Sequence, residues 1–232
     1  MGIKKFAVIG VGKYGSQIAK EIAGKGAEVI AMDTDVDKIE AIKEDVAVAI
    51  VMDTTDKKAM MGQQVDQVDA GVVAIGENFE ATILTALNLL DLGVKRVIVR
   101  ASGENQIRIL KNLGIREILT PESEVASNVA ERLIHPNITA FLQLPDGYEI
   151  AEVRAPGKVV NRTLEDVGID SKYGLRLITL KREYQMRSDS DEVEIEEHII
   201  GVPKSETVIY ESDTLVVFGT LKNIQRFIEI NE

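Results

Sequence analysis

The sequence predicts an α/β protein in which a doubly wound parallel sheet is followed by a small α+β domain. Three observations carry that expectation. Six short β-branched runs alternate with amphipathic segments in the first half. A glycine-rich turn follows the first of those runs directly. Beyond residue 137 the rhythm changes to strand-like runs separated by turn signals.

Taken in order, FAVIG precedes GSQIAKEIAGKG, EVIAMD precedes DKIEAIKED, and VAVAIVMD precedes DKKAMMGQQV. GVVAIG is followed by a long helical segment from Glu80 to Leu92, RVIVRA by a helix from Asn105 to Leu113, and IREILTP completes the set. Each apolar run is short and each connector polar, the pattern of a parallel sheet covered on both faces. Gly26, Gly93 and Gly114 each fall just past a helix and before a strand, where a left-handed cap suits glycine. An amphipathic helix from Ser123 to Ile134 stops at His135-Pro136, because proline disfavours helical geometry in the residue before it. The domain boundary is placed there, giving domains 1–136 and 137–232.

In the second domain AFLQL, the turn Pro145-Asp146-Gly147, YEIAEVRA, LRLITLKRE, EVEIEEHII and TLVVFG read as strands and a turn. Helical periodicity survives near Arg162 to Val167 and in LKNIQRFIEI. The acidic stretch from Asp189 to Glu197 reads as an exposed loop leading into an edge strand. A domain this small sits near the lower size at which a core is self-sufficient, so pairing with a second copy would help it.

Composition narrows the function classes. Hydrophobic residues make up 45% of the 232 and charged residues 28%, enough for packed cores that stay soluble. The net charge of -11 repels phosphate backbones and anionic lipid heads, and no run of Lys/Arg offsets it, so nucleic-acid binding is not expected. No stretch approaches the roughly 20 apolar residues of a membrane span. Lys4 and Lys5 precede the first strand-like run, so no signal peptide is expected and the cytoplasm is the anticipated compartment. The absence of cysteine excludes a disulfide, a thiolate zinc site or a cysteine nucleophile.

Gly10-Val11-Gly12-Lys13-Tyr14-Gly15 fits the pattern G-x-G-x-x-G. It follows the strand Phe6 to Ile9 and opens a helix at Gly15, the context of a Rossmann-like phosphate loop: one glycine turns, one admits a pyrophosphate and one packs helix on strand. Asp33 ends the second strand at the spacing where a carboxylate accepts both ribose hydroxyls, which disfavours a 2′-phosphate and hence NADP. Asp35 either touches the adenine side or caps the next helix; Asp53 either contacts an adenine edge or caps the segment beyond it. Ala74-Ile75-Gly76 ends the fourth strand across the crevice where strand order reverses, and Gly76 allows close backbone approach. Arg100 ends the fifth strand on the same edge, as a phosphate ligand or as surface charge. Lys13, inside the loop, is the other cation within reach of terminal phosphates.

A hydride-transfer enzyme needs an acid or base beside the nicotinamide. The only histidines, His135 and His198, fall outside any recognisable constellation, and no Ser/His/Asp, H-E-x-x-H or P-loop pattern occurs. A binding protein rather than an enzyme is the expectation, with a small NAD-dependent oxidoreductase as the alternative.

FAVIGVGKYGSQIAKEI, EVIAMDTD, VVAIGENFEATILTAL, Thr120-Pro121-Glu122, SKYGLRLITLKR and SDTLVVFG occur together in order. In this set the chain resembles the cytoplasmic regulatory subunits of Trk- and Ktr-type bacterial potassium transporters, built from RCK (regulator of conductance of potassium) domains. The resemblance implies an N-terminal lobe binding ATP/ADP or NAD(H), and homodimers assembling into rings, typically octamers, beneath a membrane-embedded potassium-translocating subunit. It implies cofactor contacts from Gly10, Val11, Gly12, Lys13, Tyr14 and Gly15, from Asp33, Thr34 and Asp35, from Asp53 and Thr54, from Ala74, Ile75 and Gly76, and from Arg100 and Glu122. Lys13 stands where an arginine usually reaches the terminal phosphate of a neighbouring subunit's nucleotide. Glu122 matches a carboxylate facing a divalent or sodium ion at paired nucleotide sites, although it also suits helix capping. Asp170 stands where C-terminal lobes that bind cyclic di-AMP commonly carry arginine, and a carboxylate there would repel a phosphate.

Overall fold

The computed structural model describes residues 2–187 and 193–232. The chain forms two compact units, Met1–Glu124 and Val125–Glu232.

The first unit runs β1 (Lys5–Ile9), α1 (Lys13–Gly24), β2 (Glu28–Asp33), α2 (Val36–Ile42), β3 (Val48–Val51), α3 (Lys57–Gly62), β4 (Ala70–Val73), α4 (Phe79–Asp91), β5 (Val97–Arg100), α5 (Glu104–Asn112) and β6 (Glu117–Leu119). The six strands pair in parallel in the order β3-β2-β1-β4-β5-β6. Side chains alternate across a strand, so β1 sends Ala7 and Ile9 to one face and Val8 to the other. Ala19, Ile39 and Ile42 of α1 and α2 close the Val8 face. Met60, Ala86, Leu89 and Leu110 of α3, α4 and α5 close the opposite one. Both faces are therefore dry, which is why the strands read as nearly continuous apolar runs. Gly26, Gly93 and Gly114 have φ of +83°, +83° and +87°, as helix-terminating glycines should.

Helix α6 (Pro121–Ile134) starts in the first unit and runs into the second, so the division falls inside this helix rather than at Pro136, where the sequence places it. Proline marks the end of the helix, which need not coincide with the end of a packed unit. None of its residues is buried, and Val125, Val129 and Leu133 share an exposed stripe.

The second unit is a five-stranded antiparallel sheet, β10-β9-β11-β8-β7. Its strands are β7 (Ile138–Gln143), β8 (Tyr148–Arg154), β9 (Arg176–Arg187), β10 (Val193–Ile199) and β11 (Asp213–Thr220). Helix α9 (Leu221–Asn231) is capped by the Thr220 hydroxyl and buries Ile224, Phe227 and Ile228 against Val153, Leu180, Leu215 and Val217. Two short helices, α7 (Leu164–Val167) and α8 (Ile169–Tyr173), are joined by Gly168 in the left-handed region. The sequence points to the first and misses the second, which at five residues is too short to display a helical period. Within the acidic stretch, residues 189–192 lie outside the described residues, and the remainder belongs to β10, the edge strand expected there.

Candidate nucleotide-binding site

The glycine loop is shaped by contacts that only glycine permits. Gly10 has φ +84°, and a Cβ there would lie 2.9 Å from the backbone nitrogen of Ile75 on the adjacent β4 end. A Cβ on Gly15 would stand 1.9 Å from the Gly10 carbonyl oxygen. Around Gly12 there is open space, and Gly12 is the N-cap of α1 with no side chain satisfying the first turn. The first-turn N–H groups thus face outward with the positive end of the helix dipole behind them, a ready anion site. The helix begins at Lys13 rather than Gly15, because Gly12 already serves as its cap.

This loop opens into a cavity of about 860 Å³ at the carboxyl ends of the strands, where the order reverses between β1 and β4. The cavity wall brings together Gly10, Gly12, Lys13, Tyr14, Asp33, Thr34, Asp53, Thr54, Ala74, Ile75, Gly76, Arg100 and Glu122. Val11 and Gly15 are buried behind the loop, and Asp35 caps α2 by accepting from the Asp37 N–H at 2.9 Å; none of these three lines the cavity. Lys38, Met52, Asn78, Ala81 and Leu84 line it without having been anticipated. They lie one or more residues beyond strand ends or on helix faces; Asn78, Ala81 and Leu84 fall within VVAIGENFEATILTAL, but nothing in that run marks them individually.

Asp33 accepts from the Val11 N–H at 2.9 Å and the Asp35 N–H at 3.0 Å, which locks the glycine loop to the end of β2. Asp53 accepts from the backbone N–H and the hydroxyl of Thr55, and these two bonds hold its carboxyl below the ordinary carboxylate range. Asp56, not Asp53, caps α3. The turn carrying Asp53 is pinned by a buried Thr54–Thr85 hydroxyl pair at 2.8 Å and by the Asn88 amide, which donates to the carbonyls of Thr54 and Thr55.

Arg100 sits at the opposite end, only one-fifth exposed. Its guanidinium donates to the Glu122 carboxylate and lies 5.6 Å from the Tyr14 ring centroid. A Cβ on Gly76 would approach Arg100 Nη1 to 3.0 Å, so this glycine makes room for the guanidinium. Arg100 Nε is buried and has no hydrogen-bond partner among the described residues. Glu122 lies in the first turn of α6, and its own backbone N–H, then Arg100, keeps its carboxyl below the usual range. Among the described residues no three carboxylate or imidazole side chains gather to hold a metal.

Neither histidine lines the cavity: His135 contacts Gln225 at 2.8 Å and His198 contacts Glu196 at 3.2 Å. Asp170 pairs with Arg176 at 2.7 Å on the surface of the second unit.

A parallel doubly wound sheet with an uncapped helix N-terminus at its switch point and a carboxylate ending the neighbouring β2 defines a Rossmann-type nucleotide-binding domain, here followed in the chain by a smaller antiparallel unit. The TrkA-N domain model matches residues 6–121 and the TrkA-C domain model residues 148–231. The chain is 33% identical to "Ktr system potassium uptake protein C" of Bacillus subtilis, covering 97% of this chain and 96% of that one. It is 30% identical to "Ktr system potassium uptake protein A" of the same organism, over 97% and 95%. The protein belongs to the family of TrkA-N/TrkA-C (RCK) domain proteins. The solved GsuK RCK domain shares its fold, with a TM-score of 0.62 at 16% identity over 99% of this chain and 48% of that one. The "GsuK channel bound to NAD" gives the same score over 99% and 39%, so the chain spans less than half of these solved chains. No helix among the described residues is long and apolar enough to cross a membrane.

Proposed function

We propose that the protein is the nucleotide-sensing regulatory subunit of a bacterial potassium uptake system. In this reading it binds ATP and ADP, with NAD(H) as a second adenine ligand, in the cavity between the glycine loop and Glu122. Homodimers built into a ring, an octamer as the resemblance implies, pass the ligand state to a membrane-embedded potassium-translocating subunit on the cytoplasmic side. The observation that carries this is the cavity itself, set in a chain of which 97% aligns with Ktr potassium uptake proteins. The resemblance supports regulation over catalysis.

Gating needs ATP and ADP to bind two ring shapes with different affinity, because equal affinity shifts nothing. Lys13 is exposed at the mouth of the cavity. Reaching a terminal phosphate in a neighbouring subunit, it would supply that difference. Replacing Lys13 with Ala then narrows the ATP/ADP affinity ratio.

Thermal shift with ATP, ADP, NAD, NADH and NADP tests the site, since a ligand at 100 times its Kd adds about 2.7 kcal/mol. Stabilisation by the adenine nucleotides and little by NADP is expected; no response to any of the five removes the nucleotide reading. Light scattering tests the assembly, and monomers under every nucleotide condition would remove the ring.

A further inference from the structure

The Arg100 guanidinium holds an unusual position for a cation at the mouth of an anion site. It is mostly buried, it faces Tyr14 of the glycine loop, and the one carboxylate it touches among the described residues comes from the first turn of α6. Its Nε–H is buried without an acceptor. A buried donor left unpaired is a cost that native proteins rarely carry without a reason. Glu122, by contrast, is more than half exposed and free to turn into solvent. The pair therefore joins a fixed cation to a removable anion, and an exposed partner contributes little by staying.

We propose that Glu122 is a placeholder for a terminal phosphate: in the unliganded subunit it neutralises Arg100, and a nucleotide whose last phosphate is bridged on one side only displaces it from the guanidinium. This rests on the nucleotide reading above and deepens it by naming the ligand class that Arg100 selects. Such a terminal phosphate carries a charge near -2 at neutral pH and offers three acceptor oxygens, so it outcompetes a single carboxylate for a bidentate donor. The pyrophosphate diester of NAD carries about -1 on each phosphate and has no terminal group, so it does not displace Glu122. Arg100 then favours ATP and ADP over NAD(H). The swap also severs the tie between β5 and the first turn of α6, the helix that continues into the second unit. Ligand charge is thereby read at the base of the one helix shared by both units.

The sign of the Glu122 effect separates this from a metal-ligand or purely structural role. Titration calorimetry of the full chain with ATP, ADP and NAD, in EDTA so that no divalent cation contributes, is the experiment. For Glu122→Gln, ATP and ADP bind about threefold to fivefold tighter than to wild type, because a competitor worth at most an exposed ion pair is gone. Glu122→Ala gives the same sign. Arg100→Gln weakens ATP about tenfold or more and NAD much less. In the double variant, removing Glu122 recovers part of the ATP affinity, since the unpaired carboxylate no longer repels the phosphates. Unchanged or weaker ATP binding in both Glu122 variants, with unliganded melting temperatures intact, overturns the placeholder role. Failure of wild type to bind any of the three nucleotides is a different result, and overturns the nucleotide reading underneath.

Discussion

Arg100 in the first unit and Arg182 in the second are both partly buried strand residues, and the two are treated oppositely. Arg182 on β9 stands directly across from Asp213 on β11. Its Nε and Nη2 donate to the two carboxylate oxygens at 2.7 and 2.8 Å, Nη2 also reaches the Val208 carbonyl at 3.0 Å, and the Tyr210 ring lies 4.2 Å away. Asp213 is wholly buried and additionally accepts from the Tyr210 N–H. Arg100 has one exposed partner and an orphaned Nε. A saturated network fixes a fold, whereas an undersaturated one leaves donors for something that arrives later. On this contrast the proposed ligand site falls in the first unit, and the Arg182 cluster holds the second sheet together.

The largest expected effect tests the saturated side. Asp213→Ala strands a buried guanidinium, and breaking such a pair from one side destabilises by roughly 3–5 kcal/mol. Urea unfolding should show that loss, followed through the second unit. A loss below about 1 kcal/mol would mean the pair is no more structural than an exposed one, and the contrast with Arg100 would collapse.

Next is Gly15→Ala. Its Cβ would meet the Gly10 carbonyl at 1.9 Å, a clash with backbone that no rotamer relieves. Overpacking of this kind costs about 1–3 kcal/mol, and nucleotide binding should vanish because the loop must move. Retained affinity would show that the loop conformation is not what binds. Asp33→Asn is gentler: the amide keeps one acceptor for the loop but loses the charge offered to ribose, so affinity should fall about tenfold. Calorimetry with ATP reads it directly, and an unchanged Kd would leave Asp33 only its loop-locking role.

Such differences also explain what the sequence could and could not disclose. The six parallel strands, the glycine loop and Asp33 are legible because each depends on local pattern: β-branched runs, positive φ and a fixed spacing. The second sheet is legible as strands but not as pairs. The Arg182–Asp213 contact joins residues far apart in sequence through antiparallel register, and nothing local specifies that register. Arg100 and Glu122 meet for a similar reason. Arg100 pairs with Leu119 across β5 and β6, which carries the start of α6 alongside. Gly76 reads in sequence as a place for ligand backbone approach, and only packing reveals that it accommodates the guanidinium. Asp35 illustrates the reverse case: both a cap and an adenine contact suit its position, and the Asp37 N–H shows it capping.

The smallest effect sharpens the contrast by locating its exception. Glu149 on β8 is 7% exposed, and burial first, then the nearby Glu131 carboxylate, raise its pKa, with His135 acting weakly in the other direction. A carboxyl whose folded-state pKa lies above its unfolded value binds its proton more tightly in the native protein. Its contribution to stability is therefore greatest below the ordinary glutamate range and is lost as pH rises through that range to the raised value. Glu149→Gln keeps the side chain neutral and uncharged toward Glu131. It should raise the urea midpoint at pH 7–8, match wild type near pH 4, and flatten the fall between them. If wild type and variant lose stability in parallel over that interval, Glu149 is ionised in the folded protein with a partner to support it, and the second unit is saturated without exception.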